Sequence, residues 1–487
     1  MGRFPRDLSA LRSVHILGIS GTLMGAFAVA LAKKKIRVTG SDQNCYPPMS
    51  DVLRAAGIQV FEGYHSDTLS KLSPKPDLIV IGNVIRKDNP EAVAVMRGDV
   101  PYCSLPEFME EILLDQTQNY VVAGTHGKTT SSSMLAFVFR ELGLKPGYFV
   151  GGVSEDLPES FSAEGLIKGT PFVLEGDEYD TVFWDKVPKF FHYKPDHVIL
   201  TSMEFDHADI YADMEAVRKA FRGLAARVRK NGTFIVCQDF LENEKLVQEK
   251  ILPTGTRVIT YGAGEESRAE YRAVGFRDHR DHQIFRIEGP SGYVQEDVRL
   301  RLAGRHNVAN ALGVFLAATE VAALKPAPVI DALARFRGVR RRQEIKGEFK
   351  GVLVIDDFAH HPTAVRATIQ ALKRRFPERR MVVAFEPRSA TSRRKIFQQA
   401  YVQSFLEADA TWIAEPYDQS RIGEGDRFSS DELVSELKAK GRFASVFTVG
   451  DDGFQAIARS LKTGDVFVVL SNGGFGGLAT KIGPLLR

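Results

Sequence analysis

A glycine-rich loop followed by a lysine is the first segment of the sequence whose residue types suit a chemical task. Residues 120–130 read YVVAGTHGKTT, and residues 131–142 continue with the apolar spacing of a helix. Glycines let backbone N–H groups turn toward phosphate oxygens, and the amino end of a helix adds partial positive charge. A lysine adds a full charge, and a neighbouring hydroxyl suits Mg²⁺. The loop has the short form GxxGKT, and its predicted nucleotide-binding residues are Gly124, Thr125, His126, Gly127, Lys128, Thr129 and Thr130.

Acidic residues and a histidine follow two apolar runs further along the chain. The first segment reads EGDEYD at 175–180, and the second reads MEFDH at 203–207. Oxygen ligands of this kind suit the Mg²⁺ that accompanies a triphosphate. We therefore predict a magnesium site formed by Thr129, Glu175 and His207. For Asp177, Glu178 and Asp180, solvation or capping of a helix explains the acid as well as direct coordination of the metal does.

Glycines and polar residues also end the first strands of the chain. An apolar run at 14–18 leads into a glycine turn, a second run ends at Ser41 and Asp42, and a third ends at Asn83. Ligands bind at the carboxyl ends of strands in open α/β sheets, so this segment is predicted to bind a nucleotide. The glycine spacing is not GxGxxG, which makes a dinucleotide fingerprint a weak match. Glycines that merely form a tight strand-to-helix turn are the alternative.

Two later segments place basic and polar residues in similar surroundings. In the segment FEPRSAT at 385–391, Arg388 suits a carboxylate or a phosphate, because a guanidinium binds both in bidentate fashion. The segment GRHNVANA at 304–311 opens a helical pattern in which His306 and Asn310 share a face that suits a base. Capping by Asn307 is the simpler explanation of that segment taken alone.

The elements that must position these residues alternate between strands and helices. At about 150 residues per domain, 487 residues suggest three domains. Residues 265–300 are polar and alternating, which predicts an antiparallel excursion. The predicted fold class is α/β, with a Rossmann-like N-terminal domain at 1–117. A central P-loop ATPase-like domain with a mainly parallel sheet follows at 118–344, and a Rossmann-like C-terminal domain at 345–487.

Composition excludes several classes of protein. Lys plus Arg exceeds Asp plus Glu by only three, 64 against 61, which argues against binding of nucleic acid or membrane through bulk charge. Three widely spaced cysteines without CxxC argue against a disulfide framework and a zinc ribbon. The sequence shows neither a signal-peptide pattern nor about 20 uninterrupted apolar residues, so we expect a cytoplasmic protein. The oligomeric state is not fixed by these patterns.

Five motifs in order resemble the Mur ligases, the peptide-adding enzymes of peptidoglycan. The motifs are GTHGKTT at 124–130, EGDEYD at 175–180, MEFDH at 203–207, GRHNVANA at 304–311 and DDFAHHPT at 356–363. The resemblance covers nearly the whole chain, and its specificity comes from the order and spacing of all five. The amino-terminal GISGTLMG at 18–25 and the segment from Asn83 further resemble the subgroup that binds UDP-N-acetylmuramate.

The resemblance implies an ATP- and Mg²⁺-dependent ligase that forms an amide bond through an acyl phosphate. The catalytic residues it implies are Lys128, His207, Asp356, His360 and Arg388. It places His306, Asn307 and Asn310 at or near the adenine. The residues it implies for UDP-N-acetylmuramate are Gly18, Gly21, Ser41, Asp42 and Asn83. Arg222 occupies the approximate position of a lysine that other members of the family carbamylate. The sequence therefore does not decide whether one or two magnesium ions bind.

Two acceptors compete within the UDP-N-acetylmuramate subgroup. One is free L-alanine in de novo synthesis, and the other is the murein tripeptide L-alanyl-γ-D-glutamyl-meso-diaminopimelate in peptidoglycan recycling. Alanine-adding members resemble EADESD with a short path to the metal histidine, whereas residues 175–207 are longer and aromatic. They also resemble FQPHRYTR where this chain has FEPRSAT at 385–391. Both differences favour the tripeptide.

Other classes of protein explain parts of the chain. A folate-polyglutamate ligase is similar in the second and third domains but usually lacks the amino-terminal domain. A dehydrogenase accounts for residues 14–42 only. A regulatory UDP-sugar binder leaves the lysine and the metal ligands without a role.

Overall fold

The structure is a computed structural model that describes residues 7–47, 49–164 and 166–486. The described residues form two compact units. The first unit comprises the described part of 1–203 together with 218–260 and 313–332, and the second comprises 204–217, 261–312 and the described part of 333–487.

The first strands and helices of the first unit build a five-stranded parallel sheet. These elements are β1 Ser13–Leu17, α1 Thr22–Lys33, β2 Arg37–Asp42, α2 Met49–Ala55, β3 Gln59–Glu62, β4 Leu78–Ile81, α3 Pro90–Arg97, β5 Tyr102–Ser104 and α4 Leu105–Phe108. The strand order is β3-β2-β1-β4-β5. Strands β1 and β4 are buried along their whole length because both faces of a parallel sheet are covered. The order reverses beside β1, which is where such sheets bind ligands.

The central elements include the predicted strand, glycine loop and helix. They are β6 Gln118–Ala123, α5 Lys128–Glu141, β7 Gly147–Phe149, β8 Phe161–Ser162, β9 Pro171–Gly176, β10 Asp180–Val182, β11 Asp185–Pro188, β12 His197–Leu200, α6 Met214–Ala225, β13 Thr233–Cys237, α7 Leu241–Gln248 and β14 Arg257–Gly262. Within the first unit the strands lie in the order β13-β12-β6-β9-β7-β8, and every pairing except β7 with β8 is parallel. Strands β9 and β12 therefore flank β6 and bring their carboxyl ends to the glycine loop.

The antiparallel excursion predicted for residues 265–300 is present in the second unit. The next elements are β15 Tyr271–Asp278, β16 Gln283–Glu288, β17 Val294–Leu300, α8 Arg305–Leu316 and α9 Pro326–Arg335. Strand β16 pairs antiparallel with both β15 and β17.

The last part of the second unit is a six-stranded sheet with helices on both faces. Its elements are β18 Glu344–Phe349, β19 Val352–Asp357, α10 Pro362–Arg375, β20 Met381–Phe385, α11 Gln398–Phe405, β21 Ala410–Ala414, α12 Ser430–Ala439, β22 Phe443–Phe447, α13 Asp451–Ser460, β23 Val466–Leu470 and α14 Leu478–Leu485. The order is β18-β19-β23-β20-β21-β22, and only β18 runs antiparallel to its neighbour. Alternate side chains of these strands point to two separate hydrophobic clusters.

The prediction of an α/β fold built on parallel sheets is confirmed. The domain boundaries at 117/118 and 344/345 stay a prediction. No helix within the described ranges is long and apolar enough to cross a membrane.

Candidate active site

The glycine loop joins β6 to α5 and is held by the residues that follow β12. Gly124 (φ +136°) and Gly127 (φ +84°) adopt left-handed backbone conformations that favour glycine. A Cβ on Gly124 would lie 2.3 Å from Thr201 Oγ1 and 2.7 Å from the backbone nitrogen of Ser202. The Ser202 hydroxyl accepts a hydrogen bond of 2.8 Å from the N–H of His126. The loop is thus fixed in one curled conformation.

Lys128 begins α5, and its ammonium reaches three oxygen acceptors. It donates to the carbonyls of Gly124 at 2.6 Å and Thr125 at 3.3 Å, and to Glu178 Oε1 at 2.9 Å. Burial lowers the pKa of Lys128, but the carboxylates of Glu178, Asp177 and Glu175 together raise it by more, so the pKa lies above its ordinary value. The loop therefore carries a permanent positive charge in a buried setting.

Thr129 and Glu175 bring two oxygen donors together beside the loop. The Thr129 hydroxyl donates to Glu175 Oε1 at 2.7 Å, and the N–H of Gly151 donates to Glu175 Oε2 at 2.5 Å. Burial raises the pKa of Glu175 above its ordinary value despite these hydrogen bonds. A hydroxyl and a carboxylate are the hard oxygen donors that Mg²⁺ prefers, so these residues fit that ion.

A second ion pair lies close by, where the chain enters and leaves the hairpin of β10 and β11. Lys189 Nζ donates to Asp177 Oδ2 at 2.5 Å. Burial raises the pKa of Asp177, but Lys189, Lys128 and the backbone N–H of Tyr179 together lower it by more, so the net shift is downward. The carboxyl groups of Glu175 and Asp177 therefore differ in the direction of their pKa shifts.

The predicted glycine turn lies at the carboxyl ends of β1 and β2. Gly18 (φ +80°) donates its N–H to the Ser41 carbonyl at 2.8 Å. The N–H of Ser20 donates to Asp42 Oδ2 at 2.8 Å. Gly21 is the N-cap residue of α1. The structure thus brings the turn that contains Gly18 and Gly21 against Ser41 and Asp42 at the end of β2.

Ser41 and Asn83 differ in what they present to a ligand. The Ser41 hydroxyl donates to Glu91 Oε1 at 2.8 Å and lies 3.3 Å from His15 Nε2, and all three residues are buried. The Ser41 hydroxyl is therefore directed into the core, while the Ser41 carbonyl holds the turn through Gly18. Asn83 is exposed and, with Glu175, lines a cavity of about 320 Å³.

The second unit contains the remaining predicted residues, among them a cluster around Asp206. Asp206 Oδ1 accepts from the N–H of His207 at 2.7 Å, and Asp206 Oδ2 lies 3.5 Å from His360 Nε2. Burial raises the pKa of Asp206, but its hydrogen bond to His360 and the neighbouring histidines lower it well below its usual range. His207 has a left-handed φ of +57°, which is uncommon outside glycine. His360 Nδ1 donates to the Phe358 carbonyl at 3.0 Å, which fixes its ring.

Asp356 and Arg388 lie at the carboxyl ends of β19 and β20. Burial raises the pKa of Asp356, in spite of Arg341 Nε at 3.4 Å. Arg388 Nη1 lies 3.3 Å from Glu386 Oε1, and its guanidinium stacks over the Tyr417 ring at 4.0 Å. Its orientation is therefore fixed while a third of the side chain stays exposed.

The segment predicted to meet the adenine opens helix α8. Asn307 lies in the first turn, and its Nδ2 donates to the Ala303 carbonyl at 2.8 Å, so it is not the N-cap residue. Asn310 Nδ2 donates to Asn307 Oδ1 at 3.4 Å. His306 Nε2 lies 3.4 Å from Gln343 Nε2. The capping explanation for Asn307 is therefore wrong, and both asparagines stay nearly buried.

Several contacts were not foreseen from the sequence. Glu178, left undecided between metal binding and capping, instead pairs with the loop lysine. Neither Lys189 nor Ser202 had been singled out, because no motif marks them. Arg222, which replaces the family's lysine, pairs with Glu249 at 2.5 Å on the surface of α6. The predicted residues of the magnesium site and of the nucleotide site belong partly to the first unit and partly to the second. That all of them form one magnesium site and one nucleotide site stays a prediction.

The site combines a fixed glycine loop, a buried lysine and an adjacent hydroxyl–carboxylate pair on a parallel sheet. These features are typical of an enzyme that transfers a phosphoryl group from a nucleotide. Three family models match the chain. They are the Mur ligase family, catalytic domain, at residues 13–117, the Mur ligase middle domain at 122–318, and the Mur ligase, glutamate ligase domain, at 341–473. The chain belongs to the Mur ligase family and is an ATP-dependent enzyme that forms an amide bond.

Three proteins of this family are similar to the chain over nearly its whole length. The UDP-N-acetylmuramate--L-alanyl-gamma-D-glutamyl-meso-2,6-diaminoheptandioate ligase of Escherichia coli K12 is 36% identical over 477 residues, covering 96% of this chain and 97% of that protein. A UDP-N-acetylmuramate--L-alanine ligase of Pelodictyon phaeoclathratiforme is 31% identical over 486 residues, covering 99% and 96%. The crystal structure of a murein peptide ligase from Psychrobacter arcticus is 30% identical, covers 97% and 98%, and has a TM-score of 0.68.

Proposed function

We propose that this chain joins UDP-N-acetylmuramate to the tripeptide L-alanyl-γ-D-glutamyl-meso-diaminopimelate in peptidoglycan recycling. The observation that carries the proposal is the 36% identity to the Escherichia coli tripeptide ligase over 96% of the chain. The long aromatic segment at 175–207 supports the same acceptor independently. The L-alanine ligase activity is less supported, because its relatives are more distant.

The reaction proceeds in two covalent steps. An oxygen of the lactyl carboxylate attacks the γ-phosphorus of ATP, the bond to the bridging oxygen of ADP breaks, and an acyl phosphate forms. The α-amine of the tripeptide then attacks the acyl carbon, inorganic phosphate leaves, and the nitrogen loses a proton. The products are the amide, ADP and phosphate. The protein contributes positioning and electrostatic stabilisation to both steps.

The loop residues serve the first step. The Lys128 ammonium lies where it can neutralise charge on the transferred phosphoryl group. Magnesium, when bound, supplies further positive charge to the phosphate oxygens. We propose that Thr129, Glu175 and His207 hold it, with the first two supported by their 2.7 Å contact.

The residues of the second unit are assigned to the nucleotide base and to the acceptor. We place His306, Asn307 and Asn310 at or near the adenine. Asp356, His360 and Arg388 face the reacting groups, which is supported by the fixed orientations of the His360 ring and the Arg388 guanidinium.

The proposed substrates, ATP and a UDP-linked sugar, are cytoplasmic metabolites, so we propose a cytoplasmic location for the protein. No nucleic-acid or membrane partner is part of this proposal.

The proposed acceptor is tested by measuring ADP release and product mass with Mg-ATP and UDP-N-acetylmuramate. The two acceptors are supplied in separate reactions as L-alanine and as the tripeptide. Coupling of the tripeptide alone is the expected result. Coupling of alanine alone would overturn the assignment and make the chain an enzyme of de novo synthesis.

A further inference from the structure

A cavity of about 320 Å³ joins the first sheet to the central sheet within the first unit. Its wall includes Asn83 after β4 and Glu175 at the end of β9, together with Asp177 and Lys189. Glu175 also accepts a hydrogen bond from the hydroxyl of Thr129, so the cavity borders the phosphate loop. A group held in the cavity therefore lies close to the site proposed for the γ-phosphate.

The charges on the cavity wall are unequal. Two acids, Glu175 and Asp177, face one base, Lys189, among the residues that line it. A carboxylate that enters this space meets two like charges, which disfavours its ionised form unless a cation compensates. Among the side chains that line the cavity, Lys189 is the base that can do so. The Lys128 ammonium is directed instead to Glu178 and to loop carbonyls.

Lys189 is held so that its ammonium can donate to a second partner. Among the described residues, its Nζ has one hydrogen-bond acceptor, Asp177 Oδ2 at 2.5 Å. An ammonium has three N–H donors, so two stay available to a ligand. The backbone N–H of Lys189 donates to the Tyr179 carbonyl at 3.1 Å, which fixes the chain at this point.

The hairpin that precedes Lys189 is anchored in the first sheet. Val182 packs in one hydrophobic cluster with Leu17 and Ile79, and the Trp184 ring lies edge-on to Tyr102 at 5.5 Å. The hairpin therefore places Lys189 at a set distance from the sheet that is proposed to bind the UDP-sugar. A lysine in this position can read a group on the sugar.

We propose that Lys189 binds the lactyl carboxylate of UDP-N-acetylmuramate and presents it to the phosphoryl group at the glycine loop. The inference rests on the proposed function and extends it to a residue that determines substrate specificity. The diphosphate is assigned instead to the turn formed by Gly18 and Gly21. The carboxylate is the remaining anionic group of the substrate, and it must reach the phosphate loop for the first step.

The test compares two ligands on the full-length chain by titration calorimetry without ATP. UDP-N-acetylmuramate carries the lactyl carboxylate, and UDP-N-acetylglucosamine lacks it. We expect Lys189→Gln to raise the dissociation constant of the first ligand at least about tenfold, as for loss of a charged hydrogen bond. The constant for the second ligand should change less than about twofold. Lys186→Gln is the matched control, since Lys186 is exposed on the same hairpin and pairs with Asp180.

A second variant separates binding from folding. Lys189→Gln alone leaves Asp177 without its cation, which disfavours the folded state. The double variant Lys189→Gln with Asp177→Asn removes both charges, and it should melt near the wild-type temperature while showing the same loss for UDP-N-acetylmuramate.

The outcomes are distinct. Equal weakening of both ligands assigns Lys189 a structural role and overturns the inference, as does unchanged affinity for UDP-N-acetylmuramate. If binding of UDP without the sugar were weakened to the same degree, Lys189 would be assigned to the diphosphate. That result would also contradict the inference. Failure of the wild-type chain to bind UDP-N-acetylmuramate would instead overturn the proposed function itself.

Discussion

The Lys128 ammonium is the single charged group that the glycine loop supplies, and its replacement should remove the reaction. Lys128→Met takes away the charge that opposes the developing charge on the phosphoryl group. We expect kcat/KM for ADP release in the presence of UDP-N-acetylmuramate and tripeptide to fall by about 10³-fold or more. The measurement is steady-state kinetics under saturating magnesium.

Loss of folding must be separated from loss of chemistry in this variant. Glu178 is 3% exposed, and a buried carboxylate that loses its partner costs about 3 to 5 kcal/mol of stability. The double variant Lys128→Met with Glu178→Gln removes that charge and should melt closer to the wild-type temperature while staying inactive. Lys34→Met, at an exposed lysine after α1, serves as the control. An active double variant would contradict the role of Lys128.

His192 makes stability depend on pH. Its ring lies 2.5 Å from Glu110 Oε2 and 2.8 Å from Asp185 Oδ2. Burial lowers the pKa of His192, but the two carboxylates raise it by more, to above its ordinary value of 6.5. The stabilising contribution is therefore fully present below pH 6.5 and is lost as pH rises through the higher folded-state pKa.

His192→Gln should remove this dependence. The wild-type chain should exceed the variant in unfolding free energy by about 1 to 2 kcal/mol at pH 6, and by less at pH 9. Urea unfolding at both pH values measures the difference. His65→Gln, at an exposed histidine of the same unit, is the matched control. A wild-type advantage that grows with pH would contradict this assignment.

At the scale of elements, the loop between β6 and α5 depends on a glycine at its first position. Gly124→Ala would place a Cβ 2.3 Å from Thr201 Oγ1 and 2.7 Å from the Ser202 backbone, so the loop must move. We expect loss of measurable ATP use, because the N–H groups would no longer converge on the phosphates. Nucleotide binding by fluorescence and steady-state ADP release measure the effect.

Gly143, just beyond the other end of α5, offers a matched control. It also has a left-handed φ, +81°, but a Cβ there has no neighbour within 4 Å. Gly143→Ala should cost about 1 to 2 kcal/mol of stability from backbone strain alone and leave ATP use intact. If both variants lost ATP use equally, backbone strain would explain the loss. The close approach of Gly124 to the residues that follow β12 would then not be its cause.

Elements with local signals were predictable from the sequence. The strand, loop and helix at 120–142 follow from apolar periodicity and glycine chemistry within one short segment. The antiparallel strands at 265–300 follow from alternation. The start of α8 at Arg305 shows the limit, because periodicity placed a helix there but could not decide whether Asn307 caps it.

Pairings between distant residues were not predictable in the same way. Thr129 and Glu175 are predicted from the sequence as ligands of one magnesium ion, but their direct hydrogen bond is not. The ion pair of Lys189 with Asp177 depends on how a hairpin folds back, and residue spacing does not encode that. The burial of the Ser41 hydroxyl depends on His15 and Glu91, which lie on other elements.

At the scale of the whole molecule, the proposed reaction predicts where one oxygen atom goes. If the lactyl carboxylate of UDP-N-acetylmuramate carries ¹⁸O at both positions, one labelled oxygen should leave with inorganic phosphate in each turnover. The reason is that the attacking carboxylate oxygen becomes the bridging oxygen of the acyl phosphate and departs when the amine displaces phosphate. Mass spectrometry of the phosphate measures the transfer.

A reaction of unlabelled substrate in H₂¹⁸O is the control for exchange with water. Label-free phosphate from labelled substrate would exclude an acyl phosphate, and release of AMP would point to adenylation instead. Either result would leave the family assignment intact but revise the chemistry.

The organisation of the whole chain was only partly accessible from its sequence. Both compact units are built from separated segments, for example 204–217 within the second. Periodicity is a local signal and cannot report such a division. The order of five motifs identified the family because it records the whole chain at once, and the comparisons confirm that identification.

The acceptors of the Lys128 ammonium have a consequence for temperature adaptation. The carbonyls of the loop and the Glu178 carboxylate stabilise the fold through the same ammonium that a triphosphate must engage. Nucleotide binding therefore exchanges one set of contacts for another. A chain that evolved to hold this lysine more tightly would resist heat better and bind ATP more weakly. We therefore expect thermal stability and nucleotide affinity to be opposed at this single side chain.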